Sequence, residues 1–248
     1  LYLFDDPAQP QPSLLSKYLK LDERVVSYLF GSDECDARLL PYVERVEPGP
    51  PLAHVLLPAD VKDRLARMVR RYFTGKGLIF YFDGPYGVGK QTTAEGLCRE
   101  MNIGLLVMNG EHLLNADDSA FQTVVKLVGR EAALQQSAVY WEGFDALMAE
   151  DKRTRLDALL RALEGWTGLT FLAGDAPWEP VDVLQDRPFV RIEFALPAHD
   201  ERVRLWELAL NEDEPHDPDV DLGAIADKFL FSGGQIRDAA TTDRKSVV

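Results

Sequence analysis

The residues with the clearest chemical reading run Gly84-Pro85-Tyr86-Gly87-Val88-Gly89-Lys90-Gln91-Thr92-Thr93. They complete the pattern G-x-x-x-x-G-K, a loop that holds phosphate. Its glycines let the backbone curl, so that consecutive N–H groups point inward at phosphate oxygens. A helix starting near Lys90 adds the positive end of its dipole. The Lys90 ammonium then reaches the outer phosphates of a polyphosphate. The residue after this lysine usually offers a hydroxyl to Mg²⁺, but here it is Gln91. An amide oxygen can ligate a hard cation, although Gln91 carries it on a longer, more mobile side chain. Thr92 is expected to serve the α-phosphate. Gly84, Pro85, Tyr86, Gly87, Val88, Gly89, Lys90, Gln91 and Thr92 therefore form the expected phosphate site.

A second chemical stretch is Ala138-Val139-Tyr140-Trp141-Glu142-Gly143-Phe144-Asp145-Ala146-Leu147. An apolar strand ending in a carboxylate is where a phosphate-loop protein keeps the acid that steadies its metal. Glu142 occupies that place, and with Gln91 it makes the expected metal pair. The next residue normally polarises the attacking water. Here it is Gly143, which has no side chain to accept a proton. Asp145 has three open roles: replacing that base, capping the next helix, or facing a neighbouring subunit.

The elements that must position these groups alternate along the chain. Strand-like runs are Leu78–Phe82, Leu105–Met108, Ala138–Trp141, Leu169–Ala173 and Val190–Phe194. Helical patterns cover Lys90–Glu100, Ser119–Gln136, Arg153–Leu163 and His199–Leu210. Strands separated by helices imply a parallel sheet with right-handed crossovers. After Pro215 the strands stop, and Asp221–Phe229 and Gly234–Thr242 read as two short helices. Before the core, Ser13 precedes a helical pattern through Leu14, Leu15, Tyr18 and Leu19, and a second pattern from Val25 to Leu29 ends at Gly31. The run Glu47-Pro48-Gly49-Pro50-Pro51 reads as a linker. The expected division is a helical segment and linker at 1–51, a nucleotide-binding core at 52–212, and a truncated helical lid at 213–248.

Bulk properties narrow the function. The formal net charge of −14 is the wrong sign for a protein that grips nucleic acid electrostatically. Five basic residues lie within Lys62–Arg71, and they read as a solvated helix face. No apolar run approaches the roughly 18 residues needed to span a bilayer. Cys35 and Cys98 form neither a metal spacing nor a disulfide framework, which fits a reducing, cytoplasmic setting. The chain begins Leu-Tyr-Leu rather than with Met, as expected of a piece of a longer protein.

At this point the chain resembles the AAA+ ATPases over roughly Leu57–Arg244. Gly84–Thr93 is similar to that family's Walker A motif. Glu142–Leu147 is similar to its D-E-x-D-A-L segment, with departures at Glu142 and Gly143. Leu172-Ala173-Gly174-Asp175 resembles the end of the sensor 1 strand, with Asp175 where Asn or Thr is usual. Arg187-Pro188-Phe189 resembles the element carrying the arginine finger, and Ser232-Gly233-Gly234-Gln235-Ile236-Arg237 the start of the sensor 2 helix. The resemblance implies an α/β fold: a five-stranded parallel sheet between helices, then a small helical lid. It implies ATP and Mg²⁺ as ligands. It implies catalytic roles for Lys90, Glu142, Asp145, Asp175 and Arg187, nucleotide contact by Arg237, and a homo-oligomer in which Arg187 reaches a neighbour's nucleotide. Within the family, four stretches look like the ATPases encoded with extracellular contractile injection systems, which are phage-tail-like particles. They are the loop, Gly-Phe-Asp-Ala-Leu, Leu-Ala-Gly-Asp-Ala-Pro-Trp and Gly-Gly-Gln-Ile-Arg-Asp-Ala. Leu19–Leu29 is similar to the segment preceding the core in that group, part of which is a winged-helix-like variant. That likeness implies particle proteins as partners and a role in assembly or remodelling. A nucleotide-dependent scaffold with little hydrolysis is the alternative, because Gln91, Glu142 and Gly143 all depart from the family pattern. A small-molecule kinase would share the loop but leaves the helical lid unexplained.

Overall fold

The computed structural model describes residues 2–4, 18–47, 49–72, 77–180, 184, 187–210 and 221–246. The chain divides into two compact units, Leu1–Pro41 and Tyr42–Val248.

In the first unit, strands β1 (Tyr2–Phe4) and β2 (Tyr18–Lys20) pair antiparallel, followed by helix α1 (Glu23–Leu29). Tyr18 and Leu19 therefore lie in a strand and not in the expected helix, whose other positions at 13–17 lie outside the described residues. Asp22 caps α1 by accepting the Arg24 N–H at 3.0 Å. A cavity of about 520 Å³ lies beside this turn, where Arg38 pairs with Asp22 at 2.9 Å and with Asp36 at 2.6 Å.

The second unit is built on a six-stranded sheet of order β3-β5-β6-β7-β4-β8. Its strands are β3 (Val43–Val46), β4 (Leu78–Asp83), β5 (Leu105–Asn109), β6 (Ala138–Glu142), β7 (Leu169–Gly174) and β8 (Phe189–Glu193). All neighbours run parallel except β3, which pairs antiparallel with β5. The expected parallel strands are all present, and β3 is an addition. Its four residues fall in what read as the approach to a linker, so the first unit ends before the expected boundary at 51. Covering the outer edge of β5 satisfies a row of main-chain groups that would otherwise invite foreign strands.

Helices cover both faces of the sheet, and this explains why β4 reads as unbroken apolar sequence. Every residue of β4 is buried. On one face, Phe80 stacks on Phe171 with centroids 5.4 Å apart. The same cluster contains Leu65 and Val69 of α2 (Ala59–Tyr72) and Ala94 and Leu97 of α3 (Lys90–Met101). Burying each such large side chain stabilises the fold by about 1.5–3 kcal/mol. On the other face, Trp141 meets Phe121 of α5 (Asp118–Gln135), which packs along α6 (Arg153–Gly165). The short helix α4 (Gly110–Leu114) follows β5 directly.

Three helices close the chain: α7 (His199–Leu210), α8 (Leu222–Lys228) and α9 (Gly233–Ser246). Trp206, Leu222, Ala226 and Ile236 form their shared core. α7 thus packs with the two terminal helices, while the expected lid boundary at 213 lies outside the described residues. Among the described residues, no helix is long and apolar enough to cross a membrane.

Candidate functional site

The C-terminal end of β4 is anchored before the loop departs. Asp83 is buried, and Arg191 of β8 grips its carboxylate with two bonds, Nε at 2.8 Å and Nη2 at 2.9 Å. Sequence reasoning passed over this pair, although an acid closing the run Leu-Ile-Phe-Tyr-Phe was a visible signal. The fork holds Arg191 in its charged form more firmly than usual, chiefly through the hydrogen bond to Asp83. Fixing Asp83 also fixes where Gly84 begins, and the Gly84 N–H donates to Gly174 O at 3.2 Å. α3 then opens at Lys90, as the motif requires.

The Lys90 side chain is 11% exposed. Its ammonium donates to the carbonyls of Gly84 and Gly174 and to Asp175 Oδ1, the last two at 2.9 and 3.1 Å. Asp175, at the end of β7, is well exposed, so its pairing with Lys90 is a weak one that an incoming phosphate can replace. Asp145 Oδ1 accepts the Asp175 N–H at 2.9 Å. To the three roles open to Asp145 the geometry adds a fourth: tying the turn after β6 to the end of β7. Phe144–Met148 forms a 3₁₀ turn here, and Phe144 packs on Tyr81 and Trp178.

Glu142 ends β6, exposed and facing the same space as Lys90. Gln91 donates its amide nitrogen to Glu95 Oε1 at 2.9 Å, which leaves its amide oxygen for other partners. Burial first, and then the carboxylates of Glu142, Glu95 and Asp175, hold the Tyr140 phenol in its protonated form. Among the described residues, no group of three or more His, Cys, Asp or Glu side chains is placed to hold a metal alone. The donors present, a carboxylate and an amide oxygen, suit a hard cation that draws its remaining oxygens from phosphate and water.

Across from the loop stands the start of α9. Ser232 and Gln235 form a reciprocal cap: Ser232 Oγ accepts the Gln235 N–H at 3.3 Å, and Gln235 Oε1 accepts the Ser232 N–H at 2.9 Å. The Gly234 N–H donates to Gly87 O at 2.8 Å, so the two main chains touch directly. Arg237 follows one turn later, exposed. A cavity of about 520 Å³ lies between these parts, lined by Tyr86–Thr92, Glu142, Asp145, Asp175 and Arg237. Gly84 and Pro85 belong to the loop but lie outside that lining. His54–Leu56, Glu95, Glu111 and Leu205 line it as well, and sequence reasoning missed them. Only the apolar run Val55-Leu56-Leu57 before α2 offered a signal for the first group.

Arg187 is placed away from the cavity, and its contacts differ from those expected of a finger. It precedes β8, and Phe189 pairs with Ile79 near the start of β4, which puts Arg187 at the end of the sheet opposite the loop. The residue is 5% exposed. Its guanidinium donates to Leu163 O and to Gly168 O of its own chain. Burial pushes its pKa down to about 10. A finger must extend outward to a neighbour's phosphate, whereas this side chain is spent on joining the end of α6 to the turn before β7.

Comparison with known proteins agrees with this geometry. Residues 80–196 match the family described as "ATPase family associated with various cellular activities (AAA)", and residues 1–43 match "Winged helix domain, variant". The chain is 26% identical over 126 residues to the replication factor C large subunit of Sulfurisphaera tokodaii, and 27% identical over 132 residues to that of Sulfolobus acidocaldarius. Each match covers 49% of this chain and 28% of the relative, so the chain spans little more than a quarter of these proteins. A solved structure described as "Structural Basis for Katanin Self-Assembly" superposes with a TM-score of 0.65 at 21% identity, over 84% of this chain and 77% of that one. The match at 80–196 begins within β4 and runs just past β8. It takes in the phosphate loop and the strand ends that carry Glu142 and Asp175. Residues 80–196 thus match an AAA ATPase domain, and the cavity between the phosphate loop and the first turn of α9 is its candidate nucleotide site.

Proposed function

We propose that the chain binds ATP with Mg²⁺ in this cavity and hydrolyses it as part of an oligomer that assembles or remodels a protein particle. One observation carries the reading. Lys90 and Arg237, from the helix after the phosphate loop and from the closing helices, line one cavity across a direct main-chain contact. A polyphosphate there joins both parts, so its hydrolysis alters their spacing. The amides of the loop and Lys90 hold the phosphates, Thr92 lies beside them, and Glu142 with the Gln91 amide oxygen holds the metal. Mg²⁺ held there by Glu142 and the Gln91 amide oxygen would neutralise the charge that grows on the phosphate during transfer. Positioning and charge neutralisation of this kind supply most of the catalysis in phosphoryl transfer.

The oligomer is supported by the katanin structure, which is described by its self-assembly, and not by Arg187. The particle rests on the four stretches that resemble the ATPases of contractile injection systems. The replication factor C large subunits are relatives of this chain, but the net charge of −14 makes a polypeptide a better partner than nucleic acid. The decisive experiment is steady-state ATP hydrolysis by the purified oligomer, beside particle assembly with and without the protein. Turnover lost in Lys90→Ala supports the reading.

A second reading is favoured by Gly143 and by the burial of Arg187. The chain would bind ATP to hold a conformation and hydrolyse little of it. Tight nucleotide binding without turnover in the wild-type oligomer would select this reading.

A further inference from the structure

Gly143 leaves the position directly after Glu142 without a carboxylate, and its φ of +65° is one that side chains rarely adopt. The space beside it is nonetheless not empty of acid. A Cβ built at Gly143 would stand 3.3 Å from Glu111 Cγ and 3.8 Å from Glu111 Oε1. Glu111 therefore borders the volume that a side chain at position 143 would enter.

The fold fixes this placement. β5 and β6 run in register, with Asn109 opposite Glu142. Asn109 Oδ1 then accepts the His112 N–H at 2.8 Å and opens α4 at once. Gly110 lies so near Glu142 O and Trp141 Nε1 that no larger residue fits. The first turn of α4 is thus clamped to the end of β6, and Glu111 is its next residue.

The other acids around the cavity are occupied. Glu95 holds the Gln91 amide, Asp145 the Asp175 N–H, Asp175 the Lys90 ammonium, and Glu201 the Ala198 N–H. Among the described residues, Glu111 and Glu142 line the cavity with carboxylates that make no hydrogen bond or ion pair. Glu142 stands at the strand end assigned above to the metal.

We propose that Glu111 is the catalytic base of this site, carried on α4 in place of the side chain missing at Gly143. The inference rests on the ATPase reading above. The water oxygen forms a bond to the γ-phosphorus, and the bond from that phosphorus to the bridging oxygen breaks. Its electron pair leaves on ADP. One water proton passes to the Glu111 carboxylate and from there to solvent, so ATP and water give ADP, phosphate and a proton.

The test uses the full chain in its oligomer, with kcat and the affinity for a fluorescent ATP analogue measured separately. Glu111→Gln is expected to lower kcat by about 10²–10⁴-fold while the nucleotide Kd stays within about twofold. Glu111→Ala is expected to regain turnover with added formate and not with chloride at equal ionic strength. A kcat for Glu111→Gln within about threefold of wild type overturns the assignment. So does a loss of nucleotide binding that accompanies the loss of turnover, or an absence of rescue by formate. Wild-type protein that binds ATP without hydrolysing it sinks the ATPase reading and this base together. Wild-type turnover that survives Glu111→Gln sinks the base alone.

Discussion

The two ends of the parallel sheet each hold a cation against main-chain carbonyls, and they do opposite things with it. At the C-terminal end, Lys90 reaches the carbonyls of Gly84 and Gly174, with Asp175 alongside, and its ammonium opens onto a cavity. At the N-terminal end, Arg187 reaches the carbonyls of Leu163 and Gly168 and is sealed, with its Nε unbonded. The local chemistry is nearly the same. Access separates a group that can exchange its partners for phosphate from one that can only brace the fold.

The largest way to break this contrast is at Lys90. Lys90→Ala should weaken nucleotide binding by at least about 100-fold, since bonds to a charged group contribute about 1.5–3 kcal/mol each. The fold should survive, because Asp175 is left facing solvent. Titration with a fluorescent nucleotide, beside a thermal melt, checks both points.

Arg187 should behave in the reverse sense. Arg187→Ala is expected to lower stability by about 2–4 kcal/mol through the cavity it leaves, with nucleotide affinity unchanged. Arg187→Met should stay within about 1 kcal/mol of wild type. Leu163 O and Gly168 O keep main-chain donors, Trp166 N–H and Leu78 N–H, so removing the guanidinium strands neither carbonyl. The depressed pKa gives the same sign. The folded state sheds the Arg187 proton from about pH 10, earlier than the unfolded chain does. Stability carried by this group therefore rises with pH through that window, and below it the charge is a burden. Denaturant titration of both variants separates cavity from charge. Loss of turnover in a fully stable Arg187→Met oligomer would restore the finger.

Smaller effects sharpen the loop side. Gly87→Ala places a methyl 2.6 Å from Ser232 Oγ and 2.7 Å from Gly234 Cα, at a φ of +76°. It should separate the loop from α9 and weaken ATP affinity about tenfold, roughly the 1.4 kcal/mol of such a strained residue. An unchanged Kd would show that the contact does not matter for binding. Asp83→Asn loosens the fork to Arg191 and should lower the melting midpoint by about 2–6 °C, with affinity moved less than threefold. A larger change in affinity would mean that the fork shapes the loop itself.

The sequence made the sheet and the loop legible because both depend on local pattern. β4, β6 and β7 are apolar runs of strand length bounded by turn residues. Gly84–Lys90 binds through its backbone, whose curl a few glycines announce. What stayed hidden depends on distant pairing. β3 is short and half charged, and only its ladder with β5 makes it a strand. Tyr18–Lys20 reads as helix until it meets Tyr2–Phe4. Arg187 carried the right neighbours for a finger, yet its burial follows from where α6 ends and β7 begins, which no spacing records. Glu111 gave no motif at all, since it is aligned with Gly143 by the register of β5 on β6.

The link between Gly87 and Gly234 runs from main chain to main chain, and this limits how the molecule can vary. A contact between side chains can be weakened by changing either partner, residue by residue. This one is untouched by every substitution that leaves the path of the two backbones intact. Neighbouring residues such as Tyr86 or Gln235 can drift toward new ligands or partners without severing it. Communication between the nucleotide loop and the terminal helices is thus held by the trace of the chain, and it would pass to descendants even where the surrounding side chains do not.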